Sequence, residues 1–305
     1  MNRRRFAAAL AGTVALGGAV LAPSAHATGA GTQNATAACT EDVGSVTAAG
    51  AHTGATVTAG TPPTTSAPGS TAGVFKPGQV RLSTTFVSEP STGGVDRSGY
   101  VVEGDGLYYR FYNFNEGGDA HVRIGGGWSS YTSLEAAEYA EAPGSTTYYH
   151  HFAYGLRSDG TLLRWNLTGS AWRSAGSANG FASVKSMALI SKTRTYDTFL
   201  ANTRGGALYT IRIPITSPMK PIVKQVRTKT WQGFETLIAE RCGKYGTLLL
   251  GIDKDTRTAN LYAVGHANGT ATVINGLGKV ANGTYADPVY FRWSVVAPGD
   301  QLNGD

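Results

Sequence analysis

Two short clusters carry the residue types that hold a sugar. Trp128 is followed by Ser129, Ser130 and Tyr131, and Trp231 by Gln232, Gly233 and Phe234. A pyranose ring presents a patch of C–H groups that packs on an aromatic face, while its hydroxyls need oriented polar partners, and each cluster offers both. Trp128, Ser129, Tyr131, Trp231, Gln232 and Phe234 are therefore the candidate ligand-binding residues. The same tryptophans suit another role, as wedges between packed sheets. Hydrolysis would need an activated nucleophile, a metal, or two carboxylates about 5 to 9 Å apart. The chain has neither Gly-x-Ser-x-Gly nor His-Glu-x-x-His. Glu103, Glu135, Glu138, Glu141, Glu235 and Glu240 are the acids from which a pair would be drawn. His150 and His151 are neighbours on one alternating strand, which sends them to opposite faces and prevents their sharing a metal. Asp253 and Asp255 stand two apart without the full ligand ladder of a calcium loop. No catalytic residue, metal site or cofactor is assigned from these patterns.

The elements that must position these residues repeat. Strand openings recur at Val80, Ser133, Ser183 and Thr236, and a lone copy begins at Pro288. Each full copy reaches a turn and then an apolar strand: Leu107 to Phe111, Leu162 to Trp165, Leu208 to Ile211 and Leu261 to Val264. Asp105-Gly106, Asp159-Gly160 and Gly205-Gly206 occupy one equivalent place, where a tight hairpin asks for positive φ. A period of about fifty residues built of short strands predicts the blades of a β-propeller. The fold class expected is all-β, a propeller of four to five four-stranded blades.

The junctions between copies carry a second pattern. Gly127 to Leu134 and Thr230 to Leu237 each run from a tryptophan through a small or polar step to an aromatic and a leucine, with weaker versions at 178–184 and 282–289. Together with the Leu-Tyr strands, this resembles the repeat of tachylectin-2-type β-propeller lectins over roughly Val80 to Trp293. The resemblance implies about five blades, with N-acetylated sugars bound in pockets between neighbouring blades. The chain departs from that pattern in having four complete copies and a fragment, and in having Ala178 and Asn282 where Trp128 and Trp231 stand.

The flanks set compartment and boundaries. Arg3, Arg4 and Phe6 precede an apolar run from Ala7 to Leu21, and Ala25-His-Ala27 has the small residues a signal peptidase cleaves. Residues 1–27 are thus expected to be a twin-arginine signal peptide, the alternative being a general secretory signal with extra arginines. Residues 28–74, rich in Ala, Gly and Thr, are expected to form a flexible, disordered arm. The propeller is placed at 75–296 and a disordered tail at 297–305. The formal net charge is +6, of which Arg3, Arg4 and Arg5 leave with the leader, so the mature excess is about +3. That excludes nucleic acid as an expected partner. Lys220, Lys224, Arg227 and Lys229 read as an outer edge guarded against aggregation, or as a site for an acidic polymer. Cys39 and Cys242, in an exported protein, are expected to form a disulfide, within one chain or between two.

Three functions fit. The first is a secreted, non-catalytic, carbohydrate-binding propeller whose partner is a glycan. The second is an extracellular protein-interaction or signalling platform. The third is a glycan-active enzyme. A monomer with no stable membrane anchor is expected in each.

Overall fold

The computed structural model describes residues 39–142, 147–168, 171–296 and 299–305. The signal residues Arg3, Arg4, Phe6 and Ala27 lie outside them. The chain opens with β1 (Thr40–Val46), β2 (His52–Thr58), β3 (Thr64–Thr65) and β4 (Gly69–Thr71). A first blade follows: β5 (Val80–Ser83) and β6 (Phe86–Ser91) as one interrupted inner strand, then β7 (Gly94–Glu103), β8 (Gly106–Asn113) and β9 (Gly118–Gly125). The second blade is β10 (Tyr131–Ala140), β11 (Tyr149–Arg157), β12 (Leu162–Thr168) and β13 (Ala171–Ala178). The third is β14 (Val184–Lys192), β15 (Tyr196–Thr203), β16 (Leu208–Pro214) and β17 (Ile222–Arg227). The fourth is β18 (Thr236–Cys242), β19 (Gly246–Asp253), β20 (Thr258–Val264) and β21 (Ile274–Lys279). Last comes β22 (Val289–Ser294).

β22 is the inner strand of a fifth blade whose other strands come from the opposite end of the sequence. It pairs antiparallel with β1, which pairs with β2, and β3 and β4 flank β2. Inner strands neighbour one another in the order β5, β10, β14, β18, β22 and back to β5, around a central channel. β22 also pairs in parallel with β6, Trp293 opposite Phe86, so the last blade is stitched to the first by backbone.

The expectation of a disordered arm over 28–74 is corrected for residues 40–71, which are the outer strands of this blade. Their composition misled because the bulk that packs on them is supplied from far along the chain. A Cβ at Gly44 would sit 2.2 Å from the Phe291 ring, and one at Gly54 3.0 Å from the Trp293 indole nitrogen. The glycines that resemble low complexity are the room these rings need. Val43, Val57 and Ala59 then join Leu248, Leu250 and Leu261 of the fourth blade in one apolar cluster.

One bond recurs at every seam. The hairpin turn of each blade offers a carbonyl, and an aromatic residue at the start of the next blade donates its backbone N–H to it. Gly50 accepts from Phe75 at 3.0 Å, Asp105 from Trp128 at 3.1 Å, Gly160 from Phe181 at 3.0 Å, Gly206 from Trp231 at 3.0 Å and Arg257 from Tyr285 at 3.1 Å. The five aromatic side chains are 5 to 8% exposed. Five equivalent locks settle the blade number at five. The residues before three of these aromatics, Gly127, Gly180 and Thr230, have φ of 85°, 105° and 87°. In the hairpins, Gly160 and Gly206 take the expected positive φ, whereas in the first turn Gly104 takes it in place of Gly106.

The tail is also corrected. Of residues 297–305, 299–305 are described and are packed, with Leu302 2% exposed. The Lys192 N–H donates to the Leu302 carbonyl at 3.1 Å, and Gly304 bridges Ile190 and Ala267. Asp300 pairs with Arg292 at 2.6 Å and Lys192 at 2.5 Å. Burial alone would raise its carboxyl, but these two cations hold it below the usual range. Cys39 and Cys242 form an intrachain disulfide with Cα atoms 5.6 Å apart, tying the start of β1 to the end of β18.

Candidate functional site

The tryptophan clusters do not face solvent. Trp128 is 6% and Trp231 5% exposed, Tyr131 9% and Phe234 7%. The Trp128 ring lies tilted against Tyr131, with centroids 4.2 Å apart, and packs against Trp165 and Trp172 between the first and second blades. The Trp231 ring meets Tyr262 at 4.7 Å and Phe234 at 5.7 Å between the third and fourth. Of the polar candidates, Ser129 and Gln232 are exposed, but their backbones serve the seams. Ser129 donates its N–H to Asp105 and its carbonyl accepts from Arg81, while the Gln232 carbonyl accepts from Lys185. Of the six residues expected to hold ligand, Trp128, Tyr131, Trp231 and Phe234 are packed inside the seams, whereas Ser129 and Gln232 are exposed beside the inter-blade bonds. Phe181 and Tyr285 stand where the tryptophans stand in hydrogen-bond terms, so the junctions at Ala178 and Asn282 lack no wedge.

The channel acids are tied to partners. Glu135 accepts from the Thr85 N–H at 2.8 Å, the Thr85 hydroxyl at 3.2 Å and the Ala136 N–H at 2.9 Å. Glu235 takes the Lys185 ammonium at 2.5 Å and the Lys254 N–H at 2.8 Å. Glu240 takes Arg292 at 3.0 Å and the Arg241 N–H at 2.7 Å. Each carboxylate acts as a brace between chain segments. Glu103 pairs with His121 at 2.9 Å, and Asp253 accepts the Thr256 N–H at 2.9 Å. Among the described residues no group of three His, Cys, Asp or Glu side chains has the spacing to hold a metal. Lys224 lies exposed on outer strand β17, and Arg227 donates to the carbonyls of Val226 and, in the next blade, Thr272.

Among the described residues, a pocket of about 510 Å³ lies where the first and second blades meet, with Lys192, Ser294 and Asp300 also on its wall. Antiparallel pairing builds both walls. Tyr100 on β7 lies opposite Tyr109 on β8, their rings 5.5 Å apart, on the face turned to the second blade. Glu138 on β10 lies opposite His151 on β11, on the face turned back to the first. Alternation separates the two histidines as expected. His150 faces the third blade, where it contacts Asp197 at 3.2 Å, a carboxylate that also accepts from Tyr154 at 2.7 Å. Tyr149, 47% exposed, stands at the pocket mouth and donates to Glu138 at 3.1 Å.

The tyrosines Tyr100 and Tyr149 and the imidazole of His151 are shifted toward their neutral forms. Burial, with Tyr109 beside it, pushes the Tyr100 hydroxyl up to about 12. Burial and the neighbouring Glu138 push Tyr149 up to about 12 as well. Burial lowers the His151 imidazole, with Lys192 and His150 acting the same way, against the opposing pull of Glu138. Three tyrosines supply flat apolar faces with polar rims, and a carboxylate and an imidazole supply an acceptor and a directional partner. A volume of this size suits a small ligand.

The chain matches no protein-family model and no curated protein. Among solved structures it is similar to SapL1 lectin in complex with alpha methyl fucoside, with TM-score 0.45 and 10% identity over 75% of this chain and 77% of that one. It is similar to the alpha-L-arabinofuranosidase PaAbf62A from Podospora anserina, with TM-score 0.45 and 11% identity over 72% and 74%. A six-bladed lectin from Aleuria aurantia gives TM-score 0.39 and 14% identity over 80% and 96%. Likeness at this distance carries no argument for ligand or activity. The propeller assignment stands on the strand order and on the five seam bonds.

Proposed function

We propose that this protein is a secreted, non-catalytic, carbohydrate-binding propeller that holds one sugar unit in the tyrosine-walled pocket between its first two blades. The observation that carries the reading is the convergence of Tyr100, Tyr109 and Tyr149 with Glu138 and His151 around one cavity of about 510 Å³. Aromatic faces stack on the C–H side of a pyranose while the carboxylate and imidazole take its hydroxyls. Among the described residues, the other acid lining the pocket with Glu138 is Asp300, which is engaged by Arg292 and Lys192. That arrangement supports binding over hydrolysis, which needs a carboxylate pair free to act on one bond. The leader at Arg3 and Arg4 and the disulfide support export. A monomer with no membrane anchor is part of this reading; among the described residues no helix is long and apolar enough to cross a membrane.

Screening the mature protein on a glycan array alongside a partner pull-down from the same preparation tests it. Selective glycan signal that Tyr149→Ala abolishes is expected. An array without signal, together with capture of one protein partner, would favour the interaction platform.

A further inference from the structure

A second cavity is built for charge. An open groove of about 1160 Å³ is lined by the first, fourth and fifth blades. Its aromatic wall is Trp293, whose indole lies on a floor made by two opposed glycines. Gly44 and Gly54 pair across β1 and β2, and a Cβ at either would come within 2.7 or 3.0 Å of the indole nitrogen. The indole N–H donates to the Thr53 carbonyl at 2.9 Å, which fixes the ring while part of it faces the groove. Arg97 stands beside it, its guanidinium carbon 5.7 Å from the Trp293 ring and 5.7 Å from the Tyr112 ring.

The charge balance of the groove is uneven. Among the described residues, no carboxylate lies within ion-pair distance of Arg97, Arg241 or Lys244. Of the acids lining it, Glu240 and Asp300 bind Arg292, and Asp300 also binds Lys192. Those two are neutralised from behind, which leaves Asp42 alone against three uncompensated cations. A preorganised indole beside an unpaired guanidinium recognises a ring that carries a negative group: the ring stacks and the guanidinium forks the anion. We infer that this groove is a separate binding site for anionic sugar residues, carboxylated or sulfated. It does not depend on what the tyrosine pocket holds.

The test is calorimetric titration of the mature protein with polygalacturonate, dextran sulfate and neutral dextran. The wild type is expected to bind the polyanions and not dextran. Preference for polygalacturonate assigns a carboxylate, and preference for dextran sulfate assigns a sulfate. Arg97→Gln is expected to weaken polyanion binding about tenfold or more, the worth of one charge-assisted pair. Arg97 packs among aromatics, so a second variant, Arg241→Gln with Lys244→Gln, uses two exposed groove residues and is expected to lose a comparable factor. Lys220→Gln with Lys224→Gln, on and beside the edge strand β17, is expected to change nothing. Equal binding of dextran, absence of polyanion binding, unchanged affinity in both groove variants, or an equal loss in the β17 variant would overturn the inference.

Discussion

The backbone N–H of Trp231 donates to the carbonyl of Gly206 at 3.0 Å, which makes a residue with the look of a sugar platform into a hinge pin between two blades. Its indole fills the seam below that bond, against Tyr262 and Phe234. The same bond recurs at Phe75, Trp128, Phe181 and Tyr285, so each seam holds an aromatic there, whether Trp, Phe or Tyr.

Truncating a pin is expected to cost stability. Trp231→Ala and Phe181→Ala each remove a buried ring and leave a cavity, a loss of about 3 to 5 kcal/mol. Chemical denaturation checks this. Variants that unfold at the wild-type midpoint would contradict the seam role.

Thr230 holds φ at 87°, a conformation that its equivalents Gly127 and Gly180 adopt without a Cβ. A β-branched residue is strained there. Thr230→Gly is expected to stabilise the protein by about 1 kcal/mol, in contrast to most glycine substitutions. Thermal melting of the pair measures it.

The disulfide closes a sequence separation of 203 residues. Chain entropy assigns that closure about 5 kcal/mol as an upper figure. Cys39→Ser with Cys242→Ser is expected to lose stability toward that limit, with hydrogen exchange rising first in β1 and β2, the strands the bridge ties down. Uniform exchange across all blades would show that the fifth blade does not rely on it.

Glu41 is wholly buried and neither carboxylate oxygen has a hydrogen-bond partner. Burial, with Glu240 adding to it, pushes its carboxyl well above the ordinary value of 4.5, against the pull of Arg292. The folded state therefore holds a proton that the unfolded state releases. The stability this contributes is present below about pH 4.5 and is lost as pH rises toward the folded value. Asp300, shifted the opposite way, contributes stability that is present above its unfolded value and is lost in acid. Glu41→Gln is expected to raise the melting temperature at pH 7 and to leave it nearly unchanged near pH 4. A constant difference across that range would remove Glu41 as the titrating group.

The repeat was legible because each blade's inner strand and turn lie close together in sequence, as Val80 to Phe111 and Thr236 to Val264 do. The fifth blade was not, because Phe291 and Trp293 are separated by most of the chain from Gly44 and Gly54, the residues they pack on. Alone, those small residues give no apolar signal. The disulfide and the opposite facing of His150 and His151 followed from compartment and from strand alternation. The tyrosine pocket was hidden for another reason. Tyr100 and Tyr109 meet only through register across a hairpin, and they face Glu138 and His151 only because two blades pack side by side. The doublets Tyr108-Tyr109 and Tyr148-Tyr149 were the available signal. For the tryptophans, ring chemistry is visible in sequence and burial is not.

Whether the tyrosine pocket or the tryptophan seams hold the glycan is decided by one comparison. Calorimetric titration with the glycan of strongest array signal should set Tyr149→Ala and Glu138→Gln against Trp231→Phe, which keeps a wedge in the seam. The two pocket variants are expected to lose about tenfold or more in affinity, the worth of a stacking ring or a charged hydrogen bond, while Trp231→Phe is expected to bind as the wild type does. Loss of binding in Trp231→Phe with full affinity in Tyr149→Ala and Glu138→Gln would contradict it.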